Sequence, residues 1–293
     1  MNNKKADGLP FAPLKEDRIF SSGKEECAMN QSERRLYLIK SLLKEEPSYR
    51  RTQIPQGTEK QELLLRGLLN VRPPRPVDEE FLKIQDAYLQ EKTREKGVTD
   101  LADLAPYSDG LYLWQGDITA LKCDAIVNAA NNGMTGCYIP NHHCTDNCIH
   151  TFSGVQLRLL CETMMEKQGF PEPTGRAKIT PAFNLPCHYI LHTVGPIVSG
   201  PLTETHCRQL ADCYHSCLEL ASSHRLKSIA FCCISTGEFH FPREKAARIA
   251  IQSVQDYQKT DPIIKKVVFN VFQKEDYEIY KKLLTDCSDG FDS

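Results

Sequence analysis

Residues 136–150, GCYIPNHHCTDNCIH, bring cysteines, histidines and one aspartate into a single loop-like run. Thiolate sulfur and imidazole nitrogen are the donor set that suits zinc. Three protein ligands with a fourth position open make a catalytic site, whereas four make a closed structural one. The run can supply either, the closed form by recruiting Cys148, with His143 and His150 also at hand. A redox element fits poorly, because no Cys-x-x-Cys pair opens a helix here.

Two further stretches carry side chains with chemical use. In FCCISTGEFHFPREKAARIA a buried strand runs into Ser235, Thr236 and Gly237, and Pro242 suits the first position of a helix. Gly237 permits a tight turn that converges backbone N–H groups, and with the helix dipole behind them they form a seat for phosphate oxygens without a lysine. Taken alone, the loop is equally an ordinary strand-to-helix turn. In QGDITALKCDAIVNAANN, Asp117 follows one strand, while Asn128, Asn131 and Asn132 gather at the end of the next. Amides at strand ends can read hydroxyls without adding charge, as a ribose requires. Each of these residues singly reads as a cap or turn former; clustered on neighbouring strand ends they point to a ligand.

The elements that must position these loops follow from the periodicity. Residues 1–28 are polar, broken by Pro and Gly, and read as a flexible tail. Residues 29–108 form an N-terminal helical segment: QSERRLYLIKSLLKEE has Leu36, Ile39 and Leu43 on one stripe, and TEKQELLLRGLLN opens with Thr58 and Gln61 at capping-box spacing. A stiff VRPPRPVD connector leads to a third helix capped by Asp78 and stopped near Gly97. From residue 109 to 293 strand and helix patterns alternate, which predicts an α/β fold with a mostly parallel sheet covered by helices on both faces. Ligands then bind outside the carboxyl ends of the strands, where the loops singled out above fall. One long helix is expected from Ile149 to Gly169.

Composition narrows the function classes. The 293 residues carry a formal net charge of −2, so no global field draws the chain to nucleic acid or membrane. The N-terminus lacks the apolar run of a signal peptide, no stretch is long and apolar enough to span a bilayer, and a cytoplasmic location is expected. The thirteen cysteines include the adjacent Cys232 and Cys233 within an apolar run, and free thiols or metal ligands are expected rather than disulfides.

GDIT, VNAAN, HTVGP and STGEF, in this order and spacing over roughly residues 110 to 286, resemble the macrodomain family of ADP-ribose-binding α/β modules, which implies a mixed, mostly parallel sheet sandwiched between helices. The resemblance implies that Asp117 holds the adenine amino group and that Ile118 makes a backbone contact beside it. It implies that Ser235, Thr236, Gly237, Glu238 and Phe239 wrap the pyrophosphate, that Asn131 faces the distal ribose, and that Phe272 lies near the adenine; Asn128 joins this ligand-binding set. Where hydrolytic macrodomains carry a glycine run after the asparagines, this chain has GMTGCYIPNHHCTD. That departure is similar to the zinc-containing branch of protein-ADP-ribose hydrolases, whose pattern C-x4-H-x-C precedes an Asp. Carried over, it implies one Zn2+ on Cys137, His142 and Cys144, with Asp146 and Asn131 as catalytic residues. The likeness to that branch also takes in the helical segment before the macrodomain.

The expectation is a zinc-dependent hydrolase that removes mono-ADP-ribose from modified proteins. Its partners are the modified protein and the ADP-ribose product, and the chain is expected to act as a monomer. The rivals are a non-catalytic ADP-ribose reader, which needs neither Asp146 nor metal ligands, and an O-acetyl-ADP-ribose deacetylase using the same cleft. Glu238 reads as solvated, since a carboxylate would repel a pyrophosphate; Phe239 suits packing on a sugar. His192 reads as a satisfied strand histidine, and His240 as a strand-end one. The N-terminal helices read as packing on the macrodomain, with a partner-docking module as the alternative.

Overall fold

Three amphipathic helices precede the sheet: α1 (Gln31–Glu45), α2 (Thr58–Val71) and α3 (Glu79–Lys96). The computed structural model describes residues 29–108 and 110–288, so the expected tail at 1–28 lies outside the described residues. A capping box starts α1: the Asn30 side chain accepts from Glu33 N, and the Glu33 carboxylate accepts from Asn30 N. The box expected at Thr58 and Gln61 does not form. Gly57 is the cap, and the Gln61 side chain instead accepts from Arg35 Nε and donates to the Pro55 carbonyl, tying α2 to α1. The buried stripe of α1 is Leu38, Ile39, Leu42 and Leu43; Leu36 is only half-buried. These pack with Leu65, Leu68 and Leu69 of α2 and Phe81, Ile84, Tyr88 and Leu89 of α3 into a core of their own, which Val155 joins from the α/β layer.

The second layer is a six-stranded sheet in the order β2 (Leu111–Gln115), β8 (Lys266–Val271), β7 (Ser228–Phe231), β4 (Ala125–Ala129), β6 (Tyr189–Thr193), β5 (Ala177–Pro181). Neighbours are parallel except β5, which runs antiparallel to β6 at the edge, so the sheet is mixed and mostly parallel as predicted. A separate two-stranded parallel pair joins β1 (Thr99–Asp100) to β3 (Leu121–Lys122). Strand residues such as Ile126, Val127, Ile190, Ile229 and Val268 are fully buried, as strands covered on both faces must be.

The covering helices are α4 (Thr145–Ser153), α5 (Val155–Gln168), α6 (Glu204–Ser223), α7 (Arg243–Gln258) and α8 (Lys274–Ser288). The single helix expected from Ile149 to Gly169 is in fact two, broken where Gly154 takes φ 98 and lets the chain turn from α4 into α5. Cys161, Cys213, Cys217 and Cys232 are free thiols packed as small hydrophobes in the core. Because β2, β4, β6, β7 and β8 are parallel, the loops after them all emerge at one edge of the sheet.

Candidate active site

The centre of that edge is Asp146, in the first turn of α4, where a carboxylate favours the helix dipole. It is buried, and burial pushes its carboxyl up to about 6 against the opposing pull of the Asn128 amide and the Arg158 charge. Asn128, on β4, is 0 % exposed and lies beneath the carboxylate. Its Nδ2 donates to Asp146 Oδ1 at 2.8 Å and lies 3.2 Å from Nδ1 of His192. That contact assigns the His192 proton to Nε2, which pairs with the Thr180 hydroxyl at 2.9 Å; His192 is the satisfied strand histidine that was predicted. Asn131, just past the strand, donates to the Gly136 carbonyl at 3.0 Å and reaches Asp146 Oδ2 at 3.5 Å. His150, one turn beyond Asp146, has Nε2 3.6 Å from Asp146 Oδ1, and neither ring nitrogen has a hydrogen-bond partner among the described residues. Burial, with His192 and Arg158 nearby, holds His150 well below the usual imidazole range, so it is neutral.

The loop between β4 and α4 brings Cys137, His142 and Cys144 together, with their donor atoms all within 4.8 Å of one another. Cys137 Sγ and His142 Nδ1 are 3.5 Å apart. Bonds of about 2.3 Å to sulfur and 2.0–2.1 Å to nitrogen at a tetrahedral angle put two such donors about 3.5 Å apart, so this edge has the length a shared zinc demands. Cys144 caps α4, its sulfur accepting from Asn147 N, and burial pushes its thiol up to about 12. A cation beside it is what would make that sulfur a thiolate. Cys148 is not in this group; its sulfur instead faces the Arg66 guanidinium at 3.4 Å. The donor set is thus three ligands, the number of an open site.

Residues 235–239, expected to wrap a pyrophosphate, sit between β7 and α7. The left-handed positions there are Ser235 (φ 65) and His240 (φ 55), whereas the turn was expected at Gly237. Gly237 is exposed and has open space where a side chain would stand. Thr236 turns inward, its hydroxyl donating to the Cys233 carbonyl, and the buried Ser235 Oγ has no partner among the described residues. The HTVGP loop packs beside it: Val198 N donates to the Phe239 carbonyl at 2.9 Å, and a Cβ on Gly195 would meet Ser235 Oγ at 2.0 Å, so only glycine fits. Glu238 is exposed, yet its Oε1 lies 3.6 Å from His142 Nε2 and joins this loop to the Cys–His loop.

At the far end, Asp117 caps the turn that contains the buried Ile118. Its Oδ1 accepts from the Thr119 amide and hydroxyl, and its Oδ2 from Lys96 Nζ at 2.7 Å. Burial alone would raise this carboxyl, but Lys96 and Thr119 outweigh it and hold the group below its ordinary value. Phe272 follows β8 and is 70 % exposed, with its carbonyl accepting from Gln115.

A macro domain model matches residues 127–250. The chain is 58% identical over 261 residues to the protein-ADP-ribose hydrolase of Treponema medium, covering 88% of this chain and all of that one. The chain belongs to the macro domain family. This macrodomain is also 49% identical over 248 residues to the protein-ADP-ribose hydrolase of Staphylococcus aureus strain MSSA476, covering 84% of this chain and 93% of the relative. Its fold is that of the Trypanosoma brucei macrodomain solved in complex with ADP-ribose, with a TM-score of 0.58 and 29% identity over 75% of this chain and 94% of that one. Several groups of the macrodomain's site carry no motif that sequence reading could use. Lys96 of α3 reaches Asp117 and lies 3.3 Å from the centre of the Phe152 ring, while Arg66 and Asn70 of α2 reach the Cys–His loop. They are charged and polar residues on amphipathic helices, and only the packing of one layer on the other gives them a role.

Proposed function

We propose that this macrodomain hydrolyses the bond between ADP-ribose and a modified protein, with Asp146 and Asn131 at the reacting ribose and a zinc ion on Cys137, His142 and Cys144. The observation that carries the reading is the adjacency of a buried carboxylate, an amide and an open three-donor set. All lie on one loop and helix turn at the carboxyl end of β4. A reader of ADP-ribose needs neither the buried carboxylate nor the three-donor set. The names of the relatives, protein-ADP-ribose hydrolases at 49% and 58% identity, support the same reaction.

The ligand is held along the edge of the sheet. Asp117 takes the adenine amino group, with Ile118 beside it and the exposed Phe272 ring available to cover the base. The backbone from Ser235 to Phe239 seats the pyrophosphate, with the unpartnered Ser235 hydroxyl as a further donor. Asn131 fixes the distal ribose, and the Asn128 amide beneath Asp146 keeps its carboxylate aimed outward. Asp146 orients a water and accepts its proton as the water oxygen bonds to the anomeric carbon. The bond to the protein side chain breaks, and the proton that Asp146 took from the water passes to the leaving side chain, which restores the carboxylate. A zinc on the three donors supplies Lewis-acid polarisation of an oxygen at this end of the cleft. The products are free ADP-ribose and the restored protein.

The experiment is ADP-ribose release from a mono-ADP-ribosylated protein by wild type, Asp146→Asn and Cys137→Ser. Both variants are expected to lose turnover, and Cys137→Ser to lose zinc as well. Unchanged turnover in Cys137→Ser after loss of zinc would remove the metal from the reaction. ADP-ribose binding by the wild type without any release would make the chain a reader.

A further inference from the structure

The Cys–His loop has little regular structure of its own, yet its ligands must be held to within fractions of an ångström to bind one ion. What holds its backbone is mostly outside the loop. The Asn141 amide donates to Asn70 Oδ1 of α2 at 2.9 Å, and the His142 carbonyl accepts from Arg66 Nη2 of α2 at 2.9 Å. The Ile139 carbonyl accepts from Asn147 Nδ2 at 3.1 Å, and the same Arg66 nitrogen holds Asn147 Oδ1 at 3.2 Å. Asn70 is 1 % exposed and anchored on its other side, donating to the Thr151 hydroxyl at 2.8 Å. Between them on α2, Gly67 leaves room for the loop: a Cβ there would stand 3.4 Å from Asn141 Nδ2 and 3.8 Å from Pro140 Cβ.

We infer that the α2 face formed by Arg66, Gly67 and Asn70 is the mould of the metal loop, so that the helical layer sets metal affinity although it donates no ligand. The inference rests on the metal reading given above. Two of the three α2 residues bond the backbone on either side of the Asn141–His142 peptide, where Asn141 is held at φ 55. Asparagine takes this left-handed conformation more readily than most side chains, and the two bonds from α2 fix the backbone in it. Groups that orient a metal ligand without touching the ion typically change affinity 10- to 100-fold when removed. The helical layer is therefore a positioning element of the site and not a detached docking module.

The test measures zinc affinity of the full chain by competition with a chromophoric chelator, and the thiolate-to-metal absorption of the cobalt-loaded protein. Wild type is compared with Gly67→Ala, Gly67→Leu and Arg66→Met. Gly67→Ala places its methyl at ordinary contact distance and is expected to leave zinc affinity unchanged. Gly67→Leu pushes on Pro140 and Asn141 while strengthening α2 as a helix, since Leu is a far better helix former than Gly. It and Arg66→Met are expected to weaken zinc by about 10- to 100-fold and to alter the cobalt–thiolate absorption. The melting of the metal-free Gly67→Leu variant, followed in parallel, is expected to stay at or above the wild-type temperature and so to separate loop placement from loss of fold; Arg66→Met, which also leaves the buried Asn147 side chain without that donor, is expected to melt lower. Equal zinc affinity in all four proteins would overturn the inference and leave the metal reading standing. A wild type that takes up no zinc would overturn both.

Discussion

Arg158→Met removes the guanidinium that joins the two layers. Arg158, on α5, is 5 % exposed, and burial lowers its pKa from the ordinary arginine value. Its Nη1 donates to the carbonyls of Asn70 at 2.7 Å, Arg72 at 2.6 Å and Leu69 at 3.3 Å. These lie at the carboxyl end of α2, where the last carbonyls have no partner within the helix and the dipole is negative. Its other arm comes within 3.5 Å of the Cys137 carbonyl, and the guanidinium lies 4.3 Å from the Tyr138 ring centre. Methionine keeps the apolar stem but leaves buried carbonyls without a donor. Two short bonds from a charged donor are worth about 1.5–3 kcal/mol each and do not add fully, while relief from burying the charge offsets part of the loss. The expected net loss is about 3 kcal/mol, a fall in melting temperature of roughly 6–12 °C for a chain of this class of size. Urea unfolding of the metal-free proteins reads it as a lower midpoint with unchanged slope. A loss below about 1 kcal/mol would refute the reasoning, since it would put these carbonyls in water.

Other outcomes follow from the site. Asp146→Asn is expected to reduce release of ADP-ribose by about 10²- to 10⁴-fold while calorimetry finds ADP-ribose bound as before; retained turnover would assign the water to another group. Asp117 is held below its ordinary carboxyl value, so the proposed adenine contact would be complete above that value and lost only as pH falls through the depressed one. Lys96→Met removes its share of that depression and leaves the Thr119 bonds, and ADP-ribose affinity is expected to fail at a higher pH than in the wild type; superimposable pH profiles would remove Lys96 from the adenine end. Glu238→Gln is expected to tighten ADP-ribose by a small factor, because its carboxylate belongs to the loop proposed to seat the pyrophosphate, and to leave zinc affinity unchanged, because its 3.6 Å approach to His142 is exposed and well screened. A loss of zinc in that variant would make Glu238 a partner of His142.

The sheet was legible because fully buried parallel strands read as short apolar runs, and the helices between them keep a clear period. VNAAN, HTVGP and STGEF fell at strand ends, as their order in the sequence implied. What escaped was local and tertiary. Gly154 breaks the helix expected from Ile149 onward, and an apolar period runs through such a break unaltered. Thr58 failed as a cap because the helix starts one residue earlier than the pattern implied: Gly57 is the cap and its carbonyl accepts from Gln61 N, while the Gln61 side chain pairs with Arg35 and Pro55 outside the helix. Ser235 takes the left-handed turn that a glycine two residues later seemed to offer, since its neighbour Gly195 vacates the space for its hydroxyl. Asn128 looked like a ligand contact from its motif, and the structure places it beneath Asp146 with its amide on the carboxylate. Lys96, Arg66 and Asn70 act across layers, and nothing local in their helices marks them.

The most direct test of the proposed chemistry is a paired measurement on the purified full chain. Zinc per chain and release of ADP-ribose from a mono-ADP-ribosylated protein are followed before chelation, after it, and after zinc is restored. About one zinc per chain is expected, with turnover lost on its removal and recovered on its return. Turnover undiminished in the zinc-free chain would contradict the proposed role of Cys137, His142 and Cys144.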